Sequence, residues 1–183
     1  MPASRPEPVA LPRWAVVTAR RRAHIRRVAA LLLDWGRALR VDELECARWL
    51  RAAALHDAMK DAPPDVIATL AMPRLGPPSL WHGPAAARRA EQEGERDPGV
   101  LSAVRYHSVG FAGWDRVGRM LYMADYLEPG RRFDATTRDR WIRRLPKDPD
   151  GVLRGVAAAR LTFALRQGWP LLPESVEFWN ALG

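Results

Sequence analysis

Apolar residues recur at helical spacing along almost the whole chain. Ile25, Val28, Leu32, Trp35 and Leu39 trace one face of a first long helix, running from about residue 13 to about 39. Trp49, Ala52, Ala53, His56, Asp57 and Lys60 trace a second, with Asp42 placed to cap it and Pro63-Pro64 breaking the chain after it. Pro77-Pro78 and Gly83-Pro84 bracket His82 in a loop, and Pro84 suits the first turn of the next helix. Asp97-Pro98 predicts a cap and first turn for a helix that carries Tyr106 and His107 toward its end. Trp114, Val117, Leu121, Ala124 and Asp125 define another, stopped by Pro129-Gly130. Val152, Val156, Ala159, Phe163 and Gln167 give a late helix, and Ser175 is a candidate cap for a short final one. No alternating strand, internal repeat or glycine-rich phosphate loop interrupts the pattern. It predicts an all-α fold.

Length and composition narrow the class. At 183 residues the chain can bury one core and is short for two independent domains. No apolar run approaches the roughly 20 residues of a membrane span. The Pro- and Arg-rich start, Met1 to Arg22, lacks the apolar stretch of a secretory signal. Cys46 is the single cysteine, so no disulfide framework exists and a reducing cytoplasm fits; in its helical stretch it reads as a small buried hydrophobe. The charge is 29 minus 21, or +8, and all basic residues but Lys60 and Lys147 are arginines. That bias fits coding composition, and it equally fits a surface that attracts nucleic acid or a polyphosphate. Charge alone does not choose.

The chemistry gathers around Leu55-His56-Asp57-Ala58-Met59-Lys60. On a helix, neighbours point about 100° apart, so His56 and Asp57 can flank one ion. Lys60 falls on the same face, one turn later. The bland alternative is an Asp57–Lys60 ion pair on a solvated face, but Ala52-Ala53-Ala54-Leu55 just before it give no sign of a solvated surface. Asp125 lies in the last turn of an apolar helix, at the negative end of its dipole, and burying it ionised demands a cation or strong donors. A salt bridge to an arginine and a metal both meet that demand. His24, on a face with Val28, Leu31 and Trp35, reads as a core histidine or a ligand; His82 as a cap or a ligand; His107 as a helix-end cation or a ligand. Imidazoles and carboxylates without thiolate suit iron, manganese, cobalt or zinc. Such an ion acidifies bound water toward neutrality for attack on phosphorus, and Lys60 and arginines would offset charge on the phosphoryl oxygens.

The order His24, His56-Asp57, then distant Asp125 resembles the HD superfamily of metal-dependent phosphohydrolases, whose fold is a helical bundle. Three segments make the resemblance narrower: Leu80-Trp81-His82-Gly83-Pro84, Arg105-Tyr106-His107-Ser108-Val109-Gly110, and Tyr122-Met123-Ala124-Asp125-Tyr126-Leu127-Glu128-Pro129-Gly130-Arg131. These are similar to the YqeK-type symmetrical bis(5′-nucleosyl)-tetraphosphatases. The likeness covers about residue 14 to about 182 and leaves Met1 to Arg13 as an extension expected to be flexible, ahead of a single domain. It implies that His24, His56, Asp57 and Asp125 hold an iron ion, and that His82 and His107 face the phosphates and complete a second metal site. It further implies that Arg21, Lys60, Tyr126 and Arg131 line the nucleotide and its phosphates, with Pro170, Leu171, Leu172, Pro173, Glu174 and Ser175 beside the nucleoside. Asp57, Lys60, His82 and His107 would serve catalysis. The chain departs from the pattern after Arg131, where Arg132-Phe133-Asp134-Ala135-Thr136-Thr137 lacks a Pro-Gly-Val, and at Ser175, where threonine is usual.

The implied reaction is symmetrical cleavage of diadenosine tetraphosphate into two ADP by metal-activated water. Two rivals stand beside it. One is another HD activity on the same centre, a nucleotidase or an alarmone hydrolase. The other is an Arg-rich RNA-binding helical protein, which has no need of a tightly held transition metal. No membrane partner is expected. The sequence leaves a homodimer, the base preference, the number of ions and the group that protonates the leaving ADP open.

Overall fold

The computed structural model describes residues 9–131 and 133–183, so most of the expected extension, and Arg132, lie outside the described residues. The first helix, α1 (Ala19–Ala38), opens at Thr18, whose hydroxyl accepts from the Arg21 N–H. It starts later than its apolar spacing predicts. The reason is local: the Val16 N–H donates to the Ala58 carbonyl at 2.8 Å, and Thr18 is tied to the Asp61 carboxylate through both its N–H and its hydroxyl. The backbone ahead of α1 is thus spent on the segment that follows the second helix.

That second helix, α2 (Glu43–Leu55), begins at the expected Asp42 cap but stops before the His-Asp pair. Beyond Leu55 the bonds switch from i+4 to i+3, with Ala58 N–H to Leu55, Lys60 N–H to Asp57 and Ala62 N–H to Met59. A three-residue repeat turns the chain more sharply than an α-helix does. His56, Asp57 and Lys60 therefore sit on a tightened run of turns, not on the helix the sequence predicts.

A short helix absent from the expectations, α3 (Pro64–Leu70), uses the Pro-Pro break as its start. After a 3₁₀ turn at Pro78–Leu80 comes α4 (His82–Gln92), which His82 itself opens instead of standing in the loop before it. Next are α5 (Pro98–Tyr106), capped by Asp97 as expected, and α6 (Arg116–Leu127), capped by Asp115. A second unexpected helix, α7 (Ala135–Arg144), was hidden because its one buried residue is Arg138 and it shows no apolar stripe. The chain closes with α8 (Pro149–Arg166) and α9 (Pro173–Ala181). Ser175 does not cap α9; it lies inside the first turn and its hydroxyl donates to the Val109 carbonyl at 2.8 Å. Among the described residues there is no strand. No helix among them is long and apolar enough to cross a membrane.

The core forms where α6 runs between α1, α2 and α5. Met120, Leu121, Met123, Ala124 and Leu127 of α6 are buried there with Trp35 and Trp49. Buried positions on α2, α4 and α5 are small: Ala52, Ala53, Ala85, Ala86, Ala87 and Ala103 are all fully buried. Short side chains let helix axes approach closely, so the helix ends beyond them converge. Gly83 carries this furthest, since a Cβ there would come within 2.9 Å of the Arg105 carbonyl. The end of α6 is closed by Arg138, whose buried guanidinium donates to the carbonyls of Tyr126, Leu127, Glu128 and Arg131.

One guanidinium also sets the far end of the bundle. Arg48 of α2 holds Asp97 at 2.7 Å and Asp115 at 2.6 Å, the caps of α5 and α6. The hydrogen bond from Arg48 is the main reason the Asp97 carboxyl titrates at about 2. Because that pKa is depressed on folding, its stabilisation is present above the ordinary aspartate pKa of about 4 and is lost as pH falls toward about 2. Asp97→Ala should cost about 1–2 kcal/mol at neutral pH, the scale of a lost helix cap. Urea unfolding checks this, and the gap between variant and parent should close on acidification through that window.

Candidate metal centre

All four histidines of the chain meet at one end of the bundle. His24 points in from α1, His56 follows α2, His82 opens α4 and His107 follows α5, and every one is buried. Asp57 lies between them. Its Oδ2 is 3.6 Å from His24 Nε2 and 3.7 Å from His56 Nε2. Its Oδ1 is 3.2 Å from His82 Nε2 and 3.6 Å from His107 Nε2. The two imidazoles of each pair approach through the same nitrogens, at 3.3 Å for His24–His56 and 3.1 Å for His82–His107. Two half-sites therefore share one carboxylate, and in each of them the three ligand atoms lie within 4.8 Å of one another. Asp125 stands on the outer side, with Oδ1 at 3.1 Å from His24 Nε2.

Backbone carbonyls fix which nitrogens face inward. Nδ1 of His56 donates to the Ala53 carbonyl at 2.8 Å, Nδ1 of His107 to Val104 at 2.8 Å, and Nδ1 of His82 to Ser79 at 3.1 Å. A neutral imidazole with its proton on Nδ1 presents a bare lone pair at Nε2. Lone pairs facing lone pairs and a carboxylate make a pocket suited to a cation. Ligands about 2.1 Å from a first-row ion lie about 3 Å apart at right angles and about 3.6 Å apart at 120°. The observed spacings match, so the residues fit a divalent metal in each half.

His24 is held differently. Its Nδ1 is 3.1 Å from Glu128 Oε1, and Glu128 is in turn fixed by Arg27 Nε at 2.5 Å and the Gly130 N–H at 2.7 Å. Burial lowers the His24 pKa, but the hydrogen bonds to Asp125 and Glu128 outweigh it and raise the ring to about 9. Burial pushes Glu128 up, yet His24 and Arg27 hold it down at about 2. Carboxylate–histidine pairs of this kind orient a metal-binding ring and raise its basicity. A metal that takes the Nε2 position replaces the proton there. His56, without such a partner and fully buried, is pushed down to about 4. Burial also raises Asp57, but His56, His107 and His82 outweigh it and keep the carboxyl well below its usual range.

Cations ring the cluster. Lys60 Nζ donates to the Ser79 carbonyl at 3.2 Å and lies 3.2 Å from the His82 ring, so the bland Asp57–Lys60 ion pair is not formed. Burial, the largest influence on it, lowers the Lys60 pKa. Arg21 reaches Asp57 Oδ2 at 2.6 Å, and Arg131 reaches Asp125 Oδ1 at 2.6 Å. Asp125 thus has the arginine partner that competed with the metal reading, while also facing His24. Tyr126 is half-buried beside Phe133. Of the C-terminal strip, Ser175 is tied to the turn after His107, whereas Pro170, Leu171, Leu172, Pro173 and Glu174 make no hydrogen bond or ion pair with the cluster among the described residues. Three residues whose side chains touch it were not foreseen: Glu128, Ser108 and Arg160. Arg160 left a signal: it continues the Val152–Val156 stripe at helical spacing, a charge on a buried face.

Comparison with known proteins agrees with this geometry. The family model of the HD domain matches residues 21–130. The chain is 31% identical over 140 residues to a symmetrical bis(5′-nucleosyl)-tetraphosphatase of Bacillus subtilis (strain 168), covering 72% of this chain and 74% of that one. It is 27% identical over 139 residues to the protein of the same name from Halalkalibacterium halodurans, covering 72% and 73%. In structure it resembles a protein from Clostridium acetobutylicum described as a predicted HD superfamily hydrolase involved in NAD metabolism. That likeness has a TM-score of 0.80 at 24% identity over 91% and 90% of the two chains, and it bears on the fold.

The shared carboxylate yields a stoichiometric expectation. Asp57→Ala should leave no tightly held metal, because both halves lose a ligand, while His82→Ala should keep the His24 half loaded. Elemental analysis after dialysis against manganese reads both. Glu128→Gln should weaken metal binding about 10–100-fold through His24, measured against a competing chelator.

Proposed function

This chain belongs to the HD-domain family, and on that footing we propose that it is a metal-dependent symmetrical bis(5′-nucleosyl)-tetraphosphatase, cutting diadenosine tetraphosphate into two ADP by metal-activated water. The observation that carries the reading is the Asp57 carboxylate between two inward-facing imidazole pairs, with Lys60, Arg21 and Arg131 at its edge. We take iron as the resident metal, in one or both halves, on the resemblance to the tetraphosphatases; the donor set itself, without thiolate, suits iron, manganese, cobalt or zinc. When bound, such an ion supplies Lewis acidity and a water acidified toward neutrality.

The chain's own residues do the rest. His24, His56, Asp57 and Asp125 would hold one ion, with His82 and His107 completing a second position on the other oxygen of Asp57. Lys60, beside the His82 ring, is placed to meet a phosphoryl oxygen whose charge grows in the transition state. Arg21 and Arg131 each engage a carboxylate through one nitrogen and have further N–H groups for phosphate. Tyr126 and the strip from Pro170 to Ser175 would border the nucleoside. A site that binds ADP as a unit sets the second phosphorus from the held adenosine in line for attack, and the other ADP departs.

Product analysis decides between this and other HD chemistries. Diadenosine tetraphosphate should give ADP alone, with one ¹⁸O from labelled water on the terminal phosphate of one ADP per turnover. ATP and AMP in equal amounts would remove the symmetrical assignment and leave a phosphohydrolase; no cleavage with any divalent metal, together with tight RNA binding, would favour the non-enzyme reading. Lys60→Ala should retain its metal and lose roughly 10²-fold in turnover, the scale of one electrostatic stabiliser. Unchanged kinetics would take Lys60 out of the site.

A further inference from the structure

Helix α8 sends one charged side chain into the centre. Val152, Val156 and Arg160 follow one another at four-residue spacing, so Arg160 leaves the buried face of α8 where the apolar contacts end. Its Nη2 is 2.9 Å from Asp125 Oδ2 and 3.3 Å from the Tyr122 carbonyl. Its Nη1 points at the Ser108 carbonyl at 3.5 Å. The guanidinium lies against two rings, 4.4 Å from the Tyr122 centroid and 5.4 Å from that of Tyr126. A lysine could supply the charge, but not a planar fork that stacks on aromatic rings while donating in several directions.

Asp125 shows what this contact does. Its Oδ1 is the atom facing His24, and its Oδ2 is occupied by Arg160. A free carboxylate can rotate and offer both oxygens to an ion; one held through Oδ2 offers only Oδ1. Arg131 acts on the other oxygen and comes from the loop after α6, more exposed than Arg160. It can leave Asp125 for a phosphate without releasing Oδ2. Arg160 also contacts the turn after His107, where the Ser108 hydroxyl is 3.1 Å from His107 Nε2. A single guanidinium thus spans the His24 half-site and the His107 half-site from behind.

We propose that Arg160 is a positioning residue for the metal centre, pinning Asp125 as a one-oxygen ligand on the His24 side and coupling that side to the turn that carries His107. The role rests on the metal reading of the cluster, and a binding experiment separates the two. Cobalt(II) alone is titrated into the full chain, with affinity read by competition against a chelating dye and ligand geometry by the visible absorption spectrum. Arg160→Met keeps the length and the packing on the tyrosines while losing charge and donors. It should weaken cobalt binding about tenfold or more, the scale of losing a residue that orients a ligand, and should change the spectrum. Arg160→Lys should recover part of the affinity and not the parent spectrum.

A structural role alone would lower the melting temperature and leave the folded protein's affinity and spectrum at parental values; that result overturns the proposal. Should Arg160→Met not fold, Arg160→Lys carries the same test through its spectrum, and a parental spectrum there overturns the proposal equally. In an Asp125→Ala background the effect of Arg160→Met on affinity should vanish, because the two act as a unit. An undiminished effect there shows that Arg160 does not act through Asp125. If the parent chain takes up no cobalt, the metal reading fails first and the role of Arg160 falls with it.

Discussion

One buried carboxylate with an imidazole pair on each of its oxygens organises this protein. Asp57 cannot stay ionised in the interior without compensation, and its surroundings hold it ionised. That demand is met by Arg21 at 2.6 Å and by four imidazoles from four separate stretches of chain, all within 3.7 Å of one side chain. The sharp turn beyond Leu55 supplies the adjacency of His56 and Asp57, and the anchoring of Val16 and Thr18 on that turn holds it against the start of α1. The buried alanines of α4 and α5, and Gly83 against the Arg105 carbonyl, set the helix spacing that lets His82 and His107 reach the opposite oxygen. Fold and centre are one problem in electrostatics and packing.

The sequence disclosed most of this where a rule of local chemistry applied. The caps at Asp42 and Asp97 and the stop at Pro129-Gly130 follow from short-range geometry, and the structure has them where they were expected. The candidate ligands were legible because histidine and aspartate on apolar stretches are conspicuous. The failures share a cause. Helix α1 starts late, α2 stops early and Ser175 bonds sideways because distant segments compete for the same backbone groups, and periodicity cannot see a partner far along the chain. Helix α7 escaped because a polar helix can be held by one buried arginine in place of an apolar stripe. Glu128 was quoted in a motif yet given no role, since only the fold reveals that it backs His24.

The arginine excess takes on a different meaning inside the structure. Arg48 clamps two helix caps, Arg27 fixes Glu128, Arg138 closes α6, and Arg21, Arg131 and Arg160 surround the two central aspartates. All but Arg21 use more than one of the directed donors of a guanidinium. Six of the chain's 27 arginines therefore serve the fold or the centre.

The Arg138 clamp has a consequence for how this chain can vary. Pro129, Gly130, Phe133 and Asp134, in the link between α6 and α7, are exposed, the usual profile of a segment that accepts insertions. Yet the two ends of the link are bolted together, because Arg138 satisfies the Tyr126 and Leu127 carbonyls that end α6, between Asp125 and Glu128. An extra residue in the link would slide the guanidinium off its acceptors and strand buried carbonyls, at about 1–3 kcal/mol for each, within one turn of the centre. Length is thus specified there together with the identities of Glu128 and Arg131. A graft or affinity tag belongs elsewhere, such as the exposed turn at Gly94, where nothing lies within 4 Å of the position a Cβ would take, with the glycine itself kept for its φ of +103°.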